Sequence, residues 1–132
     1  MTNFEVVIFG DARPQGSKRH IGNGRFIEAS PYLREWRETV RSACLEAKGS
    51  IEPFDSSVKV TLLFALKRPK NPKHKDRPAS RPDLDKLIRA IFDSVTSAGV
   101  WTDDSLVVEL QASKTWAEDE PYVELEIEYL NT

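Results

Sequence analysis

The sequence predicts an α+β fold: a single-layer mixed or antiparallel β-sheet packed with two helices, in the order β, hairpin, α, β, α, β, β. Three observations carry this. Two long segments repeat apolar residues at helical spacing, several others alternate apolar and polar residues, and Gly, Pro and Asn-Gly breakers separate them.

The elements follow in order. Asn3–Phe9 (NFEVVIF) is rich in β-branched and aromatic residues and stops at Gly10, which marks a strand. RHIGNGRFIEA sets Asn23-Gly24 between two β-like segments, a hairpin signal. Ser30-Pro31 supplies an N-cap followed by Pro at the first helical position. Leu33, Trp36, Val40, Ala43, Cys44 and Ala47 then keep helical spacing as far as Gly49. Residues 57–66 alternate Val58, Val60, Leu62, Phe64 and Leu66 with Lys59 and Thr61, a strand. KRPKNPKHKDRPASRP holds four prolines and no apolar residue but Ala79, so it is an exposed loop. Leu84, Leu87, Ile88, Ile91, Phe92, Val95 and Ala98 form one helical stripe that Gly99 terminates. In 105–114, Leu106, Val108 and Leu110 alternate with Glu109 and Gln111; in 122–129, Val123, Leu125 and Ile127 alternate with glutamates. The short AEDEP link predicts that these last two strands pair antiparallel.

At 132 residues the chain is expected to form one domain, residues 1–132. No run reaches the length of a membrane span, and the amino terminus lacks a signal pattern. A single cysteine excludes an internal disulfide, so a cytoplasmic setting is expected, with Cys44 a buried thiol on the apolar side of its helix. His20 and His74 sit in unrelated basic segments, which leaves zinc or Ser-His-Asp chemistry little to use.

The net charge of −2 hides an asymmetry. Residues 1–82 carry 16 Lys+Arg against 9 Asp+Glu, or +7, whereas 83–132 carry 3 against 12, or −9. A basic half joined to an acidic half points to a polyanion partner beside a carboxylate-rich site. Lys67 to Arg81 holds seven Lys+Arg and one Asp, with Lys70, Lys73 and Lys75 suited to tracking phosphates. Arg13 to Arg25 is a second basic run, in which Arg13, Lys18 and Arg19 are candidate contacts. Trp116 has the ring to stack on a base, and Trp101 beside Val100 reads as a core anchor.

Four carboxylates bracket the second helix: Asp83 and Asp85 at its start, Asp103 and Asp104 after its end. Capping explains one aspartate there and explains Asp85 less well. Two or three converging aspartates suffice for a hard divalent cation acting on a phosphodiester. Convergence depends on the chain path: folded back along the helix the two pairs meet, and otherwise they lie at opposite helix ends. The sequence leaves both paths open. Arg89, four residues after Asp85, is either an ion-pair partner or a phosphate holder, and Asp93 continues its row as a structural partner.

RPDLDKLIRAIFDSVTSAGVWTDDSLVVELQASK, residues 81–114, resembles the signature region of the RusA family of Holliday junction resolvases, phage or prophage type. The shared features are the Asp-x-Asp opening, the apolar helix ending in Ala-Gly-Val-Trp, the Asp-Asp pair, and a Val-Val strand with a late lysine. The resemblance implies a RusA-like fold and a homodimeric, Mg²⁺-dependent endonuclease of DNA recombination and repair, with Mn²⁺ a substitute. Such an enzyme needs no organic cofactor and places paired symmetric nicks in four-way junctions, a task that suits a two-fold dimer. By motif position it implies Asp83, Asp85 and Asp104 as metal-binding catalytic carboxylates. Arg89 falls where the family has a catalytic lysine, and Lys114 matches the strand lysine as a DNA contact. Lys86 stands where the family usually has Asn, and Arg89 exchanges a compact ammonium for a planar fork. The alternative is a non-catalytic junction-binding protein on the same scaffold.

Overall fold

The computed structural model describes residues 3–16, 19–20, 26–27 and 31–130. The elements are β1 (Asn3–Phe9), β2 (Arg19–His20), β3 (Phe26–Ile27), α1 (Pro31–Lys48), β4 (Val58–Leu66), α2 (Leu84–Ser97), a 3₁₀ turn (Asp104–Leu106), β5 (Val107–Trp116) and β6 (Tyr122–Tyr129). This is an α+β arrangement of a mixed four-stranded sheet with two helices, and β2 and β3 pair as a separate antiparallel ribbon. The Asn23-Gly24 turn and the Ser30 cap lie outside the described residues.

The strand order is β1-β6-β4-β5, and it corrects one expectation. β5 and β6 do not pair. β6 pairs antiparallel with both β1 and β4, whereas β5 pairs parallel with β4 and takes the sheet edge. The physical reason is burial. Val123, Leu125 and Ile127 are each at most 2% exposed because β6 lies between Phe4 and Ile8 of β1 and Val60, Leu62 and Phe64 of β4. On β5 the alternation finds less cover: Val108 is 61% exposed, and Leu110, beside Val60 on the helix-facing side, is 45% exposed at the sheet edge. The register slips between Val58 and Lys59, leaving Val108 without a paired residue, as in a β-bulge.

Both helices join the core formed by one face of the sheet. Leu33, Trp36, Val40 and Cys44 of α1 and Leu87, Ile91 and Val95 of α2 enter the same buried cluster as the strand residues. Each such large side chain contributes on the order of 1.5–3 kcal/mol of transfer free energy. Trp101 is a core anchor, 2% exposed, donating from its indole Nε1 to Thr96 Oγ1 at 2.6 Å and meeting Phe92 edge-on. Cys44 is buried, and burial pushes its thiol up to about 12.

The end of α2 is set by its sequence. Gly99 takes φ +73°, donating its N–H to the Thr96 carbonyl while Val100 donates to Val95. This paired closure is the Schellman arrangement, with buried Val100 following the left-handed glycine.

The β4–loop–α2–β5 segment joins two parallel strands, so the chain must cross back over their full length. Consequently the start of α2 lies where β4 and β5 end, and its last turn lies where β5 begins.

Candidate functional site

The end of β4 and β5 is the carboxyl end of a parallel pair, where ligand sites collect in sheets of this kind. Here the loop of residues 67–82 folds back and is tied down. Lys114 Nζ donates to the Ser80 carbonyl at 2.8 Å and the Pro82 carbonyl at 2.9 Å. Trp116 Nε1 donates to the His74 carbonyl at 2.9 Å, and Ala117 N–H to the Leu66 carbonyl. Residues 11–16 are fixed on the other side: Gln15 N–H bonds the Lys86 carbonyl, and its side-chain amide donates to Asp93 at 2.5 Å.

Between these walls lies an open cleft of about 810 Å³. Four cations line it (Arg13, Lys67, Arg81 and Lys86), with Asp11 and Asp83 as the acidic members and Trp116 as an aromatic wall. A groove with this balance attracts a phosphate backbone. Arg13 also places its guanidinium 5.2 Å from the Tyr32 ring centroid.

Asp83 occupies the N-cap position of α2, yet its side chain makes no capping hydrogen bond. Its carboxylate is half exposed and faces Lys86 at 3.5 Å. Asp85, in the first turn, is exposed, with no side-chain partner among the described residues. Capping therefore accounts for neither aspartate. Arg89 is likewise exposed, and among the described residues it forms neither the expected pair with Asp85 nor one with Asp93. Asp93 is the partner of Gln15, which corrects its expected role beside Arg89.

Asp103 and Asp104 behave differently from each other. Asp103 accepts a hydrogen bond from Ser105 N–H at 2.9 Å, which caps the 3₁₀ turn; the Ser105 side chain first and then this N–H hold its carboxyl below the ordinary range. Asp104 is exposed, with no side-chain partner among the described residues.

The chain takes the path that separates the pairs. Lys114, bonded to Pro82 O beside Asp83, lies seven residues along β5 from Val107, about 23 Å at strand rise. The 14 residues of α2 span about 21 Å. Asp104 therefore lies at the opposite end of α2 and β5 from Asp83 and Asp85. Among the described residues no three His, Cys, Asp or Glu are grouped to hold a metal ion. One chain does not bring the three aspartates onto one cation.

The DNA-contact expectations divide in the same way. Arg13 and Lys86 line the cleft. Lys70, Lys73 and Lys75 are exposed on the same loop but outside the cleft lining. Lys18 lies outside the described residues, as does the side chain of Arg19. The ammonium of Lys114 holds two backbone carbonyls and so shapes the cleft wall. Sequence reasoning passed over Lys67 and Arg81, the two ends of the basic loop, although loop ends are the positions its flanking elements hold in place. Nothing in the sequence marks Gln15 as a strut.

Comparison with known proteins gives three matches. The family model for endodeoxyribonuclease RusA matches residues 6–128. The chain is 28% identical over 139 aligned positions to uncharacterized protein YqaN of Bacillus subtilis (strain 168), covering 96% of each chain. It is 53% identical over 34 residues to crossover junction endodeoxyribonuclease RusA of Escherichia coli O139:H28, covering 26% of this chain and 28% of that one.

Proposed function

Because the chain belongs to the RusA endodeoxyribonuclease family, we propose that it is a divalent-metal-dependent nuclease that resolves four-way DNA junctions by paired nicks. The observation that carries this reading is the four-cation cleft ending at an aspartate that performs no capping, one residue from a second, unpartnered one. A duplex-binding surface has no use for bare carboxylates beside its phosphate groove. A cation between protein and phosphate removes that repulsion.

Asp83 and Asp85 suit the cation's share of one chain, since Mg²⁺ binds through one or two carboxylates plus water and phosphate oxygens. Such an ion supplies Lewis-acid polarisation of the phosphodiester and a water of lowered pKa. Arg13, Lys67, Arg81 and Lys86 position the strand. Exposed Arg89, one turn beyond Asp85, presents a planar fork that matches two phosphate oxygens.

Asp104 stands apart from this pair within one chain, so its part depends on a second copy. In a two-fold homodimer every residue of one subunit has an equivalent in the other, and Asp104 of one copy can complete the Asp83–Asp85 pair of its partner. The separation of about 21 Å within a chain supports that division.

A synthetic four-way junction with Mg²⁺ tests both statements. Wild type is expected to place paired symmetric nicks, and Asp85→Asn to bind without nicking. Equal nicking by the variant removes Asp85 from the chemistry, and no nicking by wild type with any divalent metal leaves a non-catalytic junction binder. Mixing Asp85→Asn with Asp104→Asn chains is expected to restore single-strand nicks, because one shared site per mixed dimer is intact. A mixture as inactive as its components refutes the shared site alone.

A further inference from the structure

A second cationic surface lies at the other end of α2, away from the cleft. α1 turns Leu33, Trp36, Val40 and Cys44 inward, which leaves Arg34, Arg37 and Arg41 along the flank toward α2. With Glu38, Ser94 and Ser97 they surround a hollow of about 310 Å³. Arg41 Nε donates to Ser97 Oγ at 3.2 Å, and its guanidinium lies 3.8 Å from Glu38 with both side chains largely exposed. Arg34 has no side-chain partner among the described residues. The lining of the hollow thus carries three arginines and one glutamate, and like charges a turn apart on a helix repel. The negative end of α2 accounts for a cation at Arg41 and does not extend to Arg34.

The opposite surface of the protein sharpens the contrast. The sheet face away from the helices presents Glu5, Glu124, Glu126 and Glu128 in adjacent strands, with Lys59 among them. A polyanion is repelled there and attracted to the helical layer. On that layer, exposed Arg89 and Ser97 lie two turns apart on one row of α2, about 12 Å, with Asp93, bonded to Gln15, between them.

We propose that Arg34, Arg37 and Arg41 form a second phosphodiester-binding surface, which holds the backbone of a further DNA arm while the cleft holds the strand to be cut. This rests on the junction-binding reading above. Guanidinium forks match phosphate oxygens in pairs, and a row of them along a helix contacts successive phosphates without reading bases. The surface contributes grip and arm placement and touches no reacting atom.

The test measures four-way junction binding without divalent metal, over a series of salt concentrations. Replacing all three arginines (R34Q/R37Q/R41Q) is expected to make log K against log[salt] shallower by about 2–3, and Arg34→Gln alone by about 1. The single variant changes an exposed helical position, so it reports even if the triple variant melts early. With Mg²⁺, both variants are expected to raise KM with kcat kept. An unchanged slope in Arg34→Gln and in a folded triple variant overturns the proposal. So does a slope lost equally on titration with inorganic phosphate at constant ionic strength, which marks a small-anion site. A shallower slope in a protein whose wild type never nicks supports this surface while removing the nuclease reading; normal nicking with unchanged slopes removes the surface alone.

Discussion

Lys114 holds the end of the basic loop, whereas the family resemblance implies a DNA contact there, and replacing it with Met separates the two roles. Methionine keeps the length of the apolar stem and removes the ammonium that holds Ser80 O and Pro82 O. Hydrogen bonds from a charged donor are worth about 1.5–3 kcal/mol each when buried. Ser80 is exposed and Pro82 half-buried, so water replaces part of the loss, and the pair together is worth about 2–3 kcal/mol. At 1.4 kcal/mol per factor of ten, the closed form of the loop end falls by roughly thirtyfold to a hundredfold relative to the open form. Asp83 follows Pro82 directly, so junction nicking at saturating Mg²⁺ is expected to fall tenfold or more. Binding measured without metal keeps its salt slope, because no phosphate contact is removed. Amide exchange at residues 80–83 is expected to quicken in step. The reasoning fails if the variant nicks at the wild-type rate while its salt slope drops by about 0.9, the mark of one lost phosphate contact.

Other expectations follow from single features. Neutralising Lys70, Lys73 and Lys75 together is expected to reduce the salt slope by about 2.7 if the outer loop grips DNA; an unchanged slope removes that loop from the interface. Glu126 stands directly opposite Glu5, and the hydrogen bond between the carboxyls, helped by burial and Glu128, raises its pKa. Since the folded state then binds a proton more tightly than the unfolded chain, this pair's contribution is full below the ordinary glutamate range. It is lost as pH rises through the raised value. Glu126→Gln is therefore expected to stabilise the fold at pH 7 by a few tenths to about 1 kcal/mol, and by less at pH 4, in urea unfolding curves. Ile91→Ala removes a fully buried side chain between α2 and the sheet and is expected to cost about 2–5 kcal/mol in the same assay. Cys44, with its thiol pushed up to about 12, should resist iodoacetamide at pH 8 until the protein unfolds, and rapid labelling of folded protein contradicts its burial.

Both helices, the long strands and the ends of α2 were legible because their causes are local. Apolar spacing fixes what an element buries, and Gly99 or a run of prolines fixes where it stops. The partners of β5 and β6 were not legible, since alternation says that a strand has an apolar face but not which neighbour covers it. Val108 and Leu110 show the cost: the same pattern on an edge strand with a bulge is left largely uncovered. The four aspartates were found by composition and spacing, while their separation depends on the parallel crossover, a property of the whole chain. The non-capping carboxylate of Asp83, turned to Lys86, was equally hidden. Sequence placed it at a cap and could not tell that the cap goes unused.

The placement of β6 in the middle of the sheet also governs how the protein is made. Its partners are the first strand of the chain and one from the middle, with Asn3 meeting Glu128 across the ladder. During synthesis β1 and β4 emerge long before the strand that joins them, so the nascent chain carries open strand edges until β6 leaves the ribosome. A chain stopped before Tyr122 lacks the strand on which two of the three pairings of the main sheet depend. A chain broken off ahead of β6 is thus an aggregation-prone fragment, and folding of this sheet waits on the emergence of β6.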